Sequence, residues 1–218
     1  CIHRSQNSQI QLCSIQITKR SERQMSKIIL ALAIFLTLGS CAKRYGDAPR
    51  NLDDACSIVR ERPSYLRAFR QAEREYGVAV PVLMAIIYQE SKFISDNRPP
   101  HQYVLGVIPV GRQSSALGYS QALDGTWAEY QRLKGGSGAR RTDIFDAADF
   151  MGWYMQQTVE EVGIPINDTR NQYLAYHDGR TGYKRGTWRS KSWLIRIADE
   201  VAARAVVYDT QLRRCNKI

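Results

Sequence analysis

The chain has 218 residues, 44% hydrophobic and 24% charged, with a formal charge of +10. That length and composition support one core-bearing domain with appendages and exclude a disordered tail. Its only long apolar run, residues 28–39, falls short of the roughly 20 residues that span a bilayer, so a multi-pass membrane protein is excluded as well.

Residues 1–24 carry no methionine and no periodic pattern, and read as a segment upstream of the true start at Met25. From Met25 the order is Ser26, Lys27, the run IILALAIFLTLG, then Ser40 and Cys41. A cation, an apolar stretch and small residues in that order predict a signal peptide over residues 25–40. A short buried helix ending at Gly39 is the plainer alternative, but it needs neither the leading lysine nor the closing cysteine. Leu38, Gly39, Ser40 and Cys41 resemble a bacterial lipobox. The resemblance implies acylation of Cys41 and a membrane anchor that does not span. It implies a location in the cell envelope facing the periplasm. Ala42 replaces the aspartate that marks inner-membrane retention, which points to the outer membrane.

From Cys41 onward 26 basic residues face 20 acidic ones, a charge of +6. Such a surface attracts polyanions: nucleic acid, anionic lipid or cell-wall polymer. Export removes nucleic acid from that list. Cys1 and Cys13 lie in the upstream segment and Cys41 is the acylation site. Cys56 and Cys215 therefore remain, and in an oxidising compartment they predict one disulfide. Closing so long a loop is worth roughly 4–5 kcal/mol in the chain-entropy model. No CxxC, HExxH or EF-hand pattern occurs, and His101 and His177 stand alone, so no metal site is expected.

Residues 41–55 read as a polar tether and 56–218 as the domain. Within it the periodicity is helical. A helix over 64–76 stops at Gly77. Pro81 opens a second, running to about Ser91. Residues 92–116 form a long loop with a hairpin around 104–110. Asp124 is an N-cap for GTWAEYQRLK, which ends at Gly135. Residues 145–162 form a third strong helix. Asp168 or Thr169 caps a helix through Tyr176, broken at Gly179. Residues 182–186 make a basic loop, and 190–214 the terminal helix. The fold class is all-α, with function carried on irregular loops.

In PVLMAIIYQESKF, residues 81–93, Leu83, Ile86, Ile87 and Glu90 share one helical stripe. A carboxylate ending an apolar stripe either swings out to an arginine or sits partly desolvated. In the second case its pKa rises and it serves as a proton donor near neutral pH, as glycoside cleavage requires.

This segment resembles the catalytic helix of the SLT-type lytic transglycosylases, a family with a goose-type-lysozyme-like fold. Two further pieces carry the resemblance in order: Gly118, Tyr119, Ser120 and Gln121, then Ala175, Tyr176, His177, Asp178 and Gly179. It implies that Glu90 is the sole acid/base, followed by Ser91. It also implies that Gln121 hydrogen-bonds substrate and that Tyr176 orients the glutamate. Tyr119 and Ser120 replace the family's Leu-Met, and His177 and Asp178 replace Asn-Ala, which alters the sugar cleft. The implied reaction cuts peptidoglycan strands between N-acetylmuramic acid and N-acetylglucosamine. Glu90 protonates the bridging oxygen, then accepts the C6 hydroxyl proton as a 1,6-anhydro ring closes, and no cofactor is required. One carboxylate suffices, whereas a hydrolytic muramidase would need a second from Asp96, Asp124 or Asp178. A non-catalytic peptidoglycan-binding lipoprotein is the remaining alternative.

Aromatic residues at helical spacing fill cores more often than they stack on sugars. Trp127, Trp153 and Tyr154 are accordingly expected inside, and the loop residues Tyr119 and Tyr183 at the cleft. Arg112, Arg180, Lys184 and Arg185 either meet glycan carboxylates or form a solvated basic face.

Overall fold

The computed structural model describes residues 46–218, which form a compact unit of their own. The signal segment and Cys41 lie outside the described residues. Helix α1, Ala55–Glu61, is capped by Asp54, whose carboxylate accepts from the Cys56 N–H at 2.9 Å. It is too short to show a period, and the sequence reading placed its start in a tether. The described part of that stretch is seated on the domain instead. Pro49 is buried, Ser95 N–H donates to the Gly46 carbonyl at 3.1 Å, and the Tyr208 hydroxyl donates to the Leu52 carbonyl.

Helix α2, Pro63–Tyr76, begins on its proline and ends at Gly77 in the left-handed region. Helix α3 is Val80–Ser91, and every side chain from Val80 to Ile87 is buried. A helix apolar on all sides belongs in the middle of a core, so the expected stripe is only part of its buried surface. A hairpin follows, with β1 His101–Val104 antiparallel to β2 Ile108–Arg112. Helix α4, Asp124–Tyr130, runs into a π-turn over Gln131–Gly135. Its N-cap is Leu123 rather than Asp124, and Asp124 pairs with Arg141 at 2.6 Å.

Asp143 caps helix α5, Ile144–Val162, and Asp168 caps helix α6, Thr169–Asp178. The basic loop of the sequence reading is helical here: α7, Arg180–Arg185, precedes a single 3-10 turn and α8, Ser192–Arg214. Among the described residues, α2 packs on α5, and α8 packs on both α3 and α6. The α2–α5 contact depends on Gly152, where a Cβ would lie 2.2 Å from the Tyr76 ring. Cys56 and Cys215 form the expected disulfide, with Cα atoms 6.4 Å apart. Gln211 reinforces it, accepting from Ala55 N–H at 2.8 Å and donating to the Asp53 carbonyl at 2.9 Å. No described helix is long and apolar enough to cross a membrane. No described cluster of His, Cys, Asp or Glu has the arrangement of a metal site. The mainly helical fold agrees with the expected class, and the hairpin falls where the sequence reading places one.

Candidate active site

Glu90 lies in the last turn of α3, at the edge of a cleft of about 480 Å³. The cleft wall includes Gln121, Tyr154, Tyr176 and His177, with Phe150 at its floor side. One carboxylate oxygen, Oε1, is shielded from solvent and has no hydrogen-bond partner. Burial pushes the Glu90 carboxyl up to about 7, against the smaller opposing effects of the Tyr173 hydroxyl and the Lys92 charge. Near neutral pH the group therefore holds its proton in a substantial fraction of molecules, as a general acid must.

The chain leaves this helix under strain. Lys92 and Phe93 both have positive φ, 52° and 62°, a conformation that costs non-glycine residues of order 1 kcal/mol or more each. Packing holds it, since Phe93 is buried and its ring stacks on Tyr65 with centroids 5.7 Å apart. The turn brings Asn97 back beneath the helix end, where its side chain donates to the Glu90 carbonyl at 3.4 Å. The Asn97 carbonyl then accepts from Gly118 N–H and from Gln121 Nε2, both at 2.9 Å. Gly118 has φ of +82°, and a Cβ there would lie 2.1 Å from the Arg141 carbonyl oxygen. Only glycine fits, because backbone meets backbone at that point.

Gln121 lies on the cleft with its amide nitrogen turned inward, donating to the carbonyls of Asn97 and Gly118. Its amide oxygen is thus the group it offers a ligand. Tyr176 also lines the cleft, but its hydroxyl donates to the Ser120 carbonyl at 2.6 Å and so ties α6 to the 117–122 turn. Tyr173, one helical turn before it, is the tyrosine whose hydroxyl interacts with the Glu90 carboxylate. Tyr173 is not singled out in the sequence reading. Its spacing from Tyr176, three residues along one helix face, was the available signal.

Four expected cleft residues, Ser91, Tyr119, Ser120 and Tyr183, lie elsewhere. Ser91 is buried and its hydroxyl bonds back to the Ile87 carbonyl at 3.3 Å. Tyr119 is in the core, its hydroxyl 3.1 Å from that of Tyr65. Tyr183 stacks on Trp188 and donates to Asn171 at 2.9 Å, away from the cleft wall. Ser120 is buried, contributing its carbonyl, while its own hydroxyl has no partner. His177 is at the cleft, its ring packed edge-on against Trp193 at 5.2 Å. Burial and the nearby Lys191 charge hold its pKa below the usual histidine value, so it is neutral at neutral pH.

Asp178 also reaches the cleft wall. Although burial acts to raise its pKa, bonds from Lys191 and Thr187 hold it below the ordinary carboxylate range. It is therefore an engaged, ionised carboxylate rather than a free base. Trp127, Trp153 and Tyr154 are buried as expected, although Tyr154 also faces the cleft. Arg180 is held by Glu161 at 3.0 Å and lies over the Tyr154 ring, with its Nη1 buried and without a partner.

A family model described as a transglycosylase SLT domain matches residues 29–215. The chain belongs to that family. Comparison with curated proteins returns no match. As an SLT domain, it is a member of a family that cleaves the glycan strands of peptidoglycan in the cell envelope. Its one under-satisfied carboxylate at a cleft is in keeping with that chemistry.

Proposed function

We infer that the protein is a lytic transglycosylase that cleaves the bond between N-acetylmuramic acid and N-acetylglucosamine and leaves 1,6-anhydro ends. The observation that carries the reading is Glu90, its carboxyl raised to about 7 by burial at the edge of the cleft. Protonated Glu90 gives its proton to the bridging oxygen as the glycosidic bond breaks. The resulting carboxylate accepts the proton of the C6 hydroxyl, whose oxygen bonds to the anomeric carbon in place of water. The proton is returned, and Glu90 ends as it began. Gln121 presents its amide oxygen to the sugar. Tyr173 steadies the carboxylate, and Tyr176 fixes the turn that carries Gln121.

A hydrolytic muramidase would require a second carboxylate free to activate water. Asp178 is committed to Lys191 and Thr187, Asp124 to Arg141, and the exposed Asp96 is not part of the cleft lining, which favours the single-acid route. We place the protein in the envelope, held by a lipid at Cys41, on the strength of the lipobox resemblance.

The test is mass spectrometry of products from purified peptidoglycan digested with the full chain and with Glu90→Gln. Anhydro-muramic ends, lighter by one water than hydrolysed ends and absent with the variant, are expected. Hydrated reducing ends would convert the reading to a muramidase. Glycan binding without any product from the wild-type chain would make it a binding protein.

A further inference from the structure

The hairpin has no part in the chemistry above, yet it is the most apolar exposed feature of the described residues. Tyr103, Val104, Leu105, Val107, Ile108 and Val110 are all exposed, Leu105 by 86% and Val107 by 75%. His101, Gln102 and Arg112 make the base of the hairpin polar, and the pairing explains why no side of its outer half is. Val104 lies opposite Ile108, and Tyr103 opposite Pro109. Directly opposed residues share a face and successive pairs alternate faces, so one face carries Val104 with Ile108 and the other Tyr103 with Pro109. The tip adds Leu105 and Val107.

A hairpin built to dock on a protein hides one face and wets the other. This one offers apolar side chains in every direction, which suits a surrounding medium better than a flat partner. The tip is also held in a costly way. Leu105 and Gly106 both have positive φ, 54° and 74°, in a turn geometry that favours asparagine or glycine at both places. A leucine kept there sacrifices local stability to present a bulky apolar side chain.

Charge identifies the medium. No acidic residue occurs between Asp96 and Asp124, whereas Arg98 and Arg112 flank the hairpin. Both are exposed, and Arg112 is fixed at the hairpin base by donating to the Pro99 carbonyl at 2.5 Å. We propose that this hairpin seats in the surface of an anionic lipid bilayer, with Leu105 and Val107 below the headgroups and Arg98 and Arg112 at the lipid phosphates. Tyr103 sits at headgroup level, where an amphipathic ring is favoured.

The insertion is shallow. A two-stranded sheet keeps two unpaired edges, and hydrocarbon offers their N–H and C=O groups nothing to bond. The strands therefore stay in the hydrated headgroup zone and only the tip passes it, a depth of about 5–10 Å. Pro99 and Ser114, on either side of the hairpin, line the catalytic cleft. Seating the hairpin accordingly turns the cleft mouth toward the membrane surface, whether or not Cys41 also bears a lipid.

Hydrogen–deuterium exchange on the full chain reads the hairpin locally, and so independently of any other membrane attachment. On vesicles of phosphatidylethanolamine with phosphatidylglycerol, peptides covering residues 101–112 should exchange about tenfold more slowly than in solution. The protection should weaken on vesicles of phosphatidylcholine alone, and for Arg98→Glu on the anionic vesicles. It should vanish in Leu105→Asp with Val107→Asp, whose lipid-free exchange elsewhere in the chain checks that the fold is intact. Unchanged hairpin exchange on vesicle-bound wild-type protein would overturn the proposal. So would protection already present without lipid: if it grew with protein concentration a second copy covers the hairpin, and if not, another segment of the chain does. Protection by glycan strands but not by vesicles would also overturn it, by making the hairpin a wall of the substrate cleft.

Discussion

Asp149 and Glu90 are both part-buried carboxylates, and the protein treats them in opposite ways. Asp149, on α5, receives the hydroxyls of Tyr76 at 2.9 Å and Tyr130 at 2.6 Å, one on each oxygen. Glu90, on α3, has one oxygen sealed from solvent with no bond at all. The first arrangement satisfies the charge and joins α2, α4 and α5. The second leaves the charge unfavourable and so keeps a proton available. A buried acid is structural when its lone pairs are filled and chemical when they are not.

The sharpest way to break that contrast is to remove each carboxylate in turn. Glu90→Gln should lower the rate of glycan cleavage by about 10²–10⁴-fold, the usual reach of a general acid, while leaving the thermal midpoint at neutral pH unchanged or higher. Asp149→Ala should do the reverse. It strands two tyrosine hydroxyls and should cost on the order of 2–3 kcal/mol in denaturant unfolding, with cleavage retained at temperatures where the domain stays folded. If Asp149→Ala instead abolishes cleavage in a folded domain, the division is wrong.

The pH dependence separates the two acids next. Glu90 is raised in the folded state from 4.5 to about 7, so between those values the native chain binds more protons than the unfolded one. Stability then falls as pH rises through that window, by about 3 kcal/mol, and levels off above it. Melting curves of wild type and Glu90→Gln should coincide below about pH 4.5, separate between there and about pH 7 with the variant the more stable, and keep that separation above. Cleavage should decline later, as pH passes about 7 and the folded enzyme loses its acid form. The smallest effect expected is that of Tyr173→Phe. Its hydroxyl favours the ionised carboxylate, so its removal should move the alkaline limb of the rate profile to higher pH by less than about one unit. A shift to lower pH would assign Tyr173 a different role.

Local pattern made much of this legible. Glycine and proline punctuation marked α2, α3 and α5, and Glu90 stood out because a carboxylate closed an apolar run. Two cysteines at the ends of the domain sufficed for the disulfide. What stayed hidden depended on partners remote in sequence. Helix α1 and the segment before it are ordered by Gln211 and Tyr208 from the other end of the chain. Tyr119 reads as a loop aromatic until Tyr65 is found edge-on against its ring. Ser91 follows the catalytic glutamate, yet the helix turns it inward, because adjacent positions on a helix point about 100° apart. Periodicity states which side of an element is apolar but not what covers it.

The bond between Cys56 and Cys215 also determines how the domain bears a mechanical load. Tension arriving through residues 46–55 meets the covalent crosslink at the first turn of α1 and passes straight to the end of α8. The chain between them, which includes the whole cleft, is bypassed while the disulfide is intact. A pull from an attachment point upstream would therefore be shared between α1 and the end of α8 instead of peeling α1 away from the domain.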